Sequence, residues 1–272
     1  MNQDNLQAFQ WQEVELTVNN LARSLDFYRY TLGFSILEAK ANTAVLGTPD
    51  NTVLLRLYAD SKAIKPSENM AGLYHFAILV PERRNLAAFL QHIIEKRYPL
   101  VGASDHGFSE AIYLQDPDGI GIEVYADRDR SEWKGMDGEL PVAADPLKVQ
   151  NLLHSAEKWH GFPQGTTIGH LHFHVSSISK ARQFYVEQLG FSPTIALGTQ
   201  VLFVAAEGYH HHIGLNTWHG EGAALPEPGM IGLRSVTAHV SQNDFDRLLR
   251  QETIGMDGSI TDPFGVIYRF QS

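Results

Sequence analysis

One eleven-residue pattern occurs twice in the chain, and a chain that repeats a unit has to pair or stack the copies to bury their apolar faces. Ser24 to Phe34 reads S-L-D-F-Y-x-x-T-L-G-F and Ala181 to Phe191 reads A-R-Q-F-Y-x-x-Q-L-G-F. Each follows an alternating stretch that predicts a strand, Val14 to Val18 and Leu171 to Val175. Each lies in a stretch of helical spacing, Leu21 to Leu32 and Ile178 to Leu189, which Gly33-Phe34 and Gly190-Phe191 bring to an end. Weaker copies place a strand at Leu73 to Val80 with a helix around Leu86 to Ile94, and a strand at Leu233 to Val240 with a helix around Phe245 to Leu249. The second and fourth copies close on Asp116-Pro117-Asp118-Gly119 and Asp262-Pro263-Phe264-Gly265, where Pro presets φ and Gly permits a positive φ.

The predicted unit is a strand, a helix and three further strands. It divides the chain into modules at residues 1–66, 67–126, 167–222 and 223–272. Residues 127–166 lack a strand pattern and read as a linker or cover, with Pro146 to Lys158 helical.

Composition narrows the chemistry. Hydrophobic residues are 43% of the 272 and charged residues 19%, a globular balance. With 21 Lys and Arg against 31 Asp and Glu the formal charge is -10, which repels nucleic acid and anionic lipid. The absence of cysteine excludes disulfides, thiolate nucleophiles and Cys-bound metal, so any metal must use His, Asp or Glu. The longest apolar runs fall far short of the roughly 20 residues of a membrane helix. The polar stretch Met1 to Gln10 has no secretory pattern. The expectation is a cytoplasmic protein with no membrane and no nucleic-acid partner, its homo-oligomeric state left open.

The 13 histidines are numerous for such a chain. The strand period of two puts His170, His172 and His174 opposite Leu171, Phe173 and Val175, and Glu13, Glu15 and Thr17 opposite Val14, Leu16 and Val18. A sheet with helices outside and these polar groups inside predicts a cavity, the natural place for chemistry.

The repeat, with its F-Y-x-x-x-L-G-F and D-P-D-G-x-x-I-E-V signatures, resembles the vicinal oxygen chelate superfamily. Four units in one chain are most similar to extradiol ring-cleaving dioxygenases of the catechol 2,3-dioxygenase type. The resemblance implies an α+β fold in which four βαβββ modules form two open-barrel domains. In that superfamily, ligands come from the start of a module's first strand and from its last strand. By register these positions hold Glu13, His75, His170 and Ser235, and then Glu123 in the second module and Arg269 in the fourth. Tyr209 to Gly220 contains no Asp or Glu, so the third module offers no carboxylate there.

The ligand set so implied is His75, Glu123 and His170. Two His and one carboxylate with open positions suit Fe(II), and Mn(II) is accommodated by the same donors. Modules 2 and 3 are then expected to pair around the metal. Modules 1 and 4 form the non-metal domain, with Arg269 available to pair with Glu13.

The resemblance extends to residues off the metal. Tyr209-His210-His211-His212-Ile213-Gly214-Leu215 is similar to the family strand whose second His is the acid–base residue. This places the role on His211, with His212 as the alternative. Tyr113, ten residues before Glu123, and His106 in Asp105-His106 match the family's substrate-side donors, and Asn216 and Trp218 are candidates to border the substrate. The implied partners are a small aromatic diol and O2. Two other functions share the repeat: a glyoxalase-like metal-dependent isomerase, which draws four protein ligands, and a metal-free protein that binds small molecules.

Overall fold

The computed structural model describes residues 5–133, 139–142 and 144–272. The first four residues of the polar N-terminal stretch, and residues 134–138 and 143 of the linker segment, lie outside the described residues.

The first repeat runs β1 (Phe9–Val18), α1 (Leu21–Asp26), β2 (Ser35–Ala39), β3 (Thr43–Gly47) and β4 (Val53–Ala59). The second runs β5 (Gly72–Leu79), α2 (Arg83–Lys96), β6 (Gly102–Asp105), β7 (Ser109–Gln115) and β8 (Gly121–Asp127). Between the middle repeats come a two-residue strand, β9 (Asp145–Pro146), and a short helix, α3 (Val149–Leu153). The third repeat runs β10 (Thr167–His174), α4 (Ile178–Arg182), β11 (Ser192–Leu197), β12 (Val201–Ala205) and β13 (Ile213–Asn216). The fourth has β14 (Gly232–Val240), α5 (Gln242–Arg250), β15 (Ser259–Thr261) and β16 (Ile267–Gln271).

The fold is mixed α+β, with strands ordered β15-β16-β14-β1-β4-β3-β2 in a seven-stranded sheet and β11-β12-β13-β10-β5-β8-β7-β6-β9 in a nine-stranded one. By compactness the chain divides into one unit of Met1–Thr17, Lys62–Tyr74 and Gly169–Ser272 and another of Val18–Ser61 and His75–Ile168.

Three expectations need correcting. The fourth repeat is one strand short. Only eight residues separate α5 from β15, and turns occupy them, with Gly258 N–H donating to Gly255 O and Gly255 N–H to Ser259 O. Residues 127–166 do contain a strand, β9, which pairs with β6 through Asp105 and Ser104. The helix expected over Pro146 to Lys158 covers only the five residues of α3.

The helices after β1 and β10 also differ from a plain α-helix. α1 gives way to a π-helical turn over Phe27–Leu32, and α4 to another over Gln183–Gln188. The wider turn is visible in bonds five residues apart, Gly33 N–H to Tyr28 O and Leu189 N–H to Phe184 O. Neighbouring side chains on an α-helix splay by about 100°, so two adjacent bulky residues do not share one buried face comfortably. Here both members of each pair, Phe27-Tyr28 and Phe184-Tyr185, are buried. Each ring removed from water contributes roughly 1.5–3 kcal/mol, enough to favour the irregular turn.

The tyrosine of each pair then reaches a turn in the following repeat. Tyr28 OH donates to Asp116 Oδ2 at 3.1 Å, and Tyr185 OH donates to Asp262 Oδ2 at 2.5 Å. The other carboxylate oxygen folds its own turn: Asp116 Oδ1 accepts from the N–H groups of Asp118 and Ile120, and Asp262 Oδ1 from those of Phe264 and Val266, all at 2.8 Å. Gly119 and Gly265 supply the positive φ, 88° at each. The first repeat is thereby clasped to the second and the third to the fourth by the same bond.

The segment after β8 packs on the helical side of its own unit. Phe162 lies 4.7 Å from Phe34 and 6.2 Å from Phe89 between ring centroids, and Trp159 lies 5.4 Å from Phe89. Gly33 and Gly161 cross so closely that a Cβ built on Gly33 would sit 2.6 Å from Gly161 Cα. Both also have positive φ, so glycine is required twice over.

Candidate metal centre

β5 and β8 run parallel, with Phe76 opposite Ile122 and Ala77 opposite Glu123. His75 is the fourth of the eight residues of β5 and Glu123 the third of the seven of β8, both buried. His75 Nε2 lies 3.0 Å from Glu123 Oε2. Two donors each about 2.1 Å from a common ion and about 90° apart would themselves be about 3.0 Å apart, so this spacing suits coordination. Burying a carboxylate without compensation costs several kcal/mol, and a divalent cation would supply that compensation.

His170, on β10, is 2% exposed. His75, Glu123 and His170 each offer one ligand atom, and these three atoms all lie within 4.8 Å of one another. The donor set of two imidazoles and one carboxylate is therefore present, and its chemistry fits a divalent first-row metal with coordination positions to spare.

Tyr113 stands directly opposite Glu123 in the β7–β8 pair, which places both side chains on one face of the sheet. The ten-residue interval read from the sequence is the length of that hairpin. Tyr113 OH is 2.7 Å from His106 Nε2, one group donating to the other, and the Tyr113 ring is 5.6 Å from that of His75. His106, Tyr113, His75 and Glu123 thus form a single constellation.

The three consecutive histidines require a correction, because they are not in a strand. β13 begins only at Ile213, and His210, His211 and His212 all lie in the preceding loop and are all buried. The loop is held both by side chain and by backbone: Ala206 N–H donates to His212 Nδ1 at 3.2 Å, and His212 N–H donates to Val204 O at 2.9 Å. The His212 carbonyl accepts from Trp11 Nε1 at 3.1 Å and from Leu171 N–H, so this residue is occupied structurally. His211 differs. Its ring lies 4.2 Å from that of His170 and stacks on Phe203 at 4.5 Å, and its Nδ1 is 2.7 Å from His210 Nδ1.

Further along β10, the His172 and His174 side chains are tied together by one amide. Asn216 Oδ1 accepts from His174 Nδ1 at 2.7 Å and Asn216 Nδ2 lies 3.0 Å from His172 Nε2, while Trp218 N–H donates to the same Oδ1. Asn216 is fully buried and Trp218 is 57% exposed. In the seven-stranded sheet, where no such donor set occurs among the described residues, Ser235 is buried and donates to Glu15 Oε2 at 2.7 Å, and Arg269 is exposed.

Sequence reasoning missed two features. The clasp from tyrosine to aspartate carried a signal, since F-Y stands in repeats one and three and D-P-x-G in repeats two and four, a complementary distribution. The other is a cluster of charges behind His106, described below, which no spacing announced.

Four related repeats of strand, helix and further strands, with a buried donor set of two His and one Glu, define a protein of the vicinal-oxygen-chelate fold with a candidate metal site. Comparisons with known proteins agree. The model of the Glyoxalase/Bleomycin resistance protein/Dioxygenase superfamily matches residues 10–124. The chain is 43% identical over 219 residues to "Catechol-2,3-dioxygenase" of Bacillus subtilis (strain 168), covering 79% of this chain and 76% of that one. Among solved structures, a Bacillus subtilis subsp. subtilis str. 168 protein superposes with a TM-score of 0.64 at 12% identity over 97% of this chain and 85% of the other. Glyoxalase I from Zea mays superposes at 0.55 with 16% identity over 96% and 92%. These two structures speak for the fold alone. The chain belongs to the glyoxalase/bleomycin resistance protein/dioxygenase superfamily, and its curated relative makes it a dioxygenase enzyme.

Proposed function

We propose that the chain is an extradiol dioxygenase that opens a catecholic ring beside its paired hydroxyls, with both atoms of O2 entering the product. The observation that carries this reading is the buried donor set of His75, Glu123 and His170. The name of the 43% identical relative supports a catechol as the substrate class. We assign the ligands to Fe(II), with Mn(II) accommodated by the same donors. The second and third repeats form the metal domain in this reading, and the first and fourth form the other. The strand order supports it, since β10, β5 and β8, which carry the three ligands, are consecutive in one sheet. Bound Fe(II) would supply a Lewis-acidic centre with vacant positions for the diol oxygens and O2.

The remaining work falls to the protein. A catechol hydroxyl proton has to be taken near neutral pH, and His has the unperturbed pKa suited to that. His211 is the residue for this role, because its ring lies against His170 whereas His212 is bound into the loop backbone. It takes the proton on binding and returns it as the ring opens. Tyr113 and His106, joined at 2.7 Å, donate hydrogen bonds to substrate oxygen.

Anaerobic reconstitution with Fe(II), followed by an oxygen electrode and a panel of catechols, tests the proposal. Oxygen uptake with a new absorbance band from the ring-opened product is the expected result. Metal retained without oxygen uptake would point to an isomerase of the glyoxalase kind, and neither would point to a metal-free binding protein.

A further inference from the structure

We propose that Arg128 is a positioning residue that aims His106 at Tyr113 from the opposite face of the sheet. The inference rests on the reading of His106 as a substrate-side donor and adds a residue to it.

The strand period supplies the logic. Asp105 and Glu110 are directly opposed in the β6–β7 pair, so their side chains share a face. Tyr113, three residues from Glu110 along β7, lies on the other face. On the first face, Arg128 Nη2 is 2.7 Å from Asp105 Oδ2 and 3.6 Å from Glu110 Oε1. Glu110, 4% exposed, also takes a two-pronged bond from Arg83, Nε to Oε2 at 2.5 Å and Nη2 to Oε1 at 3.0 Å. Arg83 in turn reaches Asn151 Oδ1 at 2.9 Å on α3. Two carboxylates are matched by two guanidiniums, so the cluster is neutral and each charge is partnered, the condition under which buried charge is tolerated.

His106 follows Asp105, and its N–H bonds to Ser109 O at 2.9 Å, which extends the strand pairing by one residue. With Asp105 drawn to one face, His106 is turned to the other, where Tyr113 and Glu123 stand opposite each other. Arg128 holds both ends of the short connection. Its side chain grips Asp105, and its backbone N–H donates to Phe108 O at 2.8 Å, while the Phe108 ring lies 5.8 Å from that of His106 and nearly parallel to it. One guanidinium nitrogen, Nη2, faces both carboxylates, so a cation at this point is what the link to Asp105 requires.

The test uses the full chain, metal-free and Fe(II)-reconstituted, as Arg128→Gln, Arg128→Lys, His106→Ala and the Arg128→Gln/His106→Ala double variant. Arg128→Gln is expected to lower kcat about 10-fold with iron content unchanged, a usual cost for removing a group that orients a functional side chain. Arg128→Lys should recover most of that loss. The double variant should be no slower than His106→Ala alone, since a residue acting through His106 has nothing left to position. In the metal-free chain, the 15N shifts of the His106 ring should move in Arg128→Gln as the bond to Tyr113 loosens. Independent multiplication of the two losses, or an unmoved His106 ring signal, would overturn the proposal. If His106→Ala turns over at the wild-type rate, the role given to His106 fails, and the ring shift still decides whether Arg128 positions it. Should Arg128→Gln not fold, Asp105→Asn severs the same link from the other side and is judged by the same outcomes.

Discussion

His75 Nε2 and Glu123 Oε2 sit 3.0 Å apart on neighbouring parallel strands, both side chains buried. A protein that needs only stability gains little from such a pair, because desolvation offsets most of the attraction. The arrangement makes sense as two edges of a coordination site. Glu123→Gln and His170→Ala should each abolish retention of Fe(II), read as metal content after desalting. Wild-type iron content in either would remove that residue from the site.

His211→Ala should keep iron and slow turnover by about 10² to 10⁴, the usual worth of a positioned acid–base group. His212→Ala should do something different. It removes the acceptor of Ala206 N–H from a buried loop, so it should lower stability by about 1–3 kcal/mol, read by urea denaturation. If the two variants exchange these phenotypes, the acid–base role moves to His212.

Tyr28→Phe and Tyr185→Phe should each destabilise the fold by about 1–3 kcal/mol, because each leaves a buried aspartate short of a donor. Tyr185 OH also lies 2.6 Å from Tyr268 OH, so its loss should be the larger of the two. Equal stability of both variants and wild type would show that the clasps are incidental.

Burial pushes the Asp116 carboxyl up to about 6. Its folded pKa is raised, so the folded state holds a proton that the unfolded state releases near 3.8. This group's contribution is therefore fully present below about pH 4 and is lost as the pH rises through about 6. The swing is at most about 3 kcal/mol. Asp116→Asn keeps the acceptor for the two turn N–H groups and cannot titrate. The stability of wild type relative to Asp116→Asn, measured by urea denaturation between pH 4 and 7, should fall as pH rises through that window. A difference independent of pH would contradict the raised value.

The repeat was legible because it is written in short periods, and the proposed ligand positions came from reading the family resemblance onto that register. Alternation put His170 on the face away from Leu171, and the resemblance, read by register, implied His75 and Glu123. The interval from Tyr113 to Glu123 is likewise a local hairpin. What stayed hidden depends on contacts across long intervals or on departures from regular geometry. The π-helical turns at Phe27 and Gln183 answer to the burial of two adjacent rings, a tertiary demand that helical spacing does not record. His210 to His212 read as strand because Ile213 to Leu215 are; the bond from Ala206 N–H to the His212 side chain belongs to a loop, and alternation does not record it. No spacing marks Arg128, because Asp105 and Glu110 come to face it only through the pairing of strands.

At the β9 end of the nine-stranded sheet the outermost backbone is two residues long, one of them a proline without an N–H and the other an exposed aspartate. A neighbouring chain seeking to extend the ladder there finds almost no donors and a negative charge. That rim is thus a poor template for strand-to-strand aggregation, a protection written into the segment that leads from the second repeat to the third.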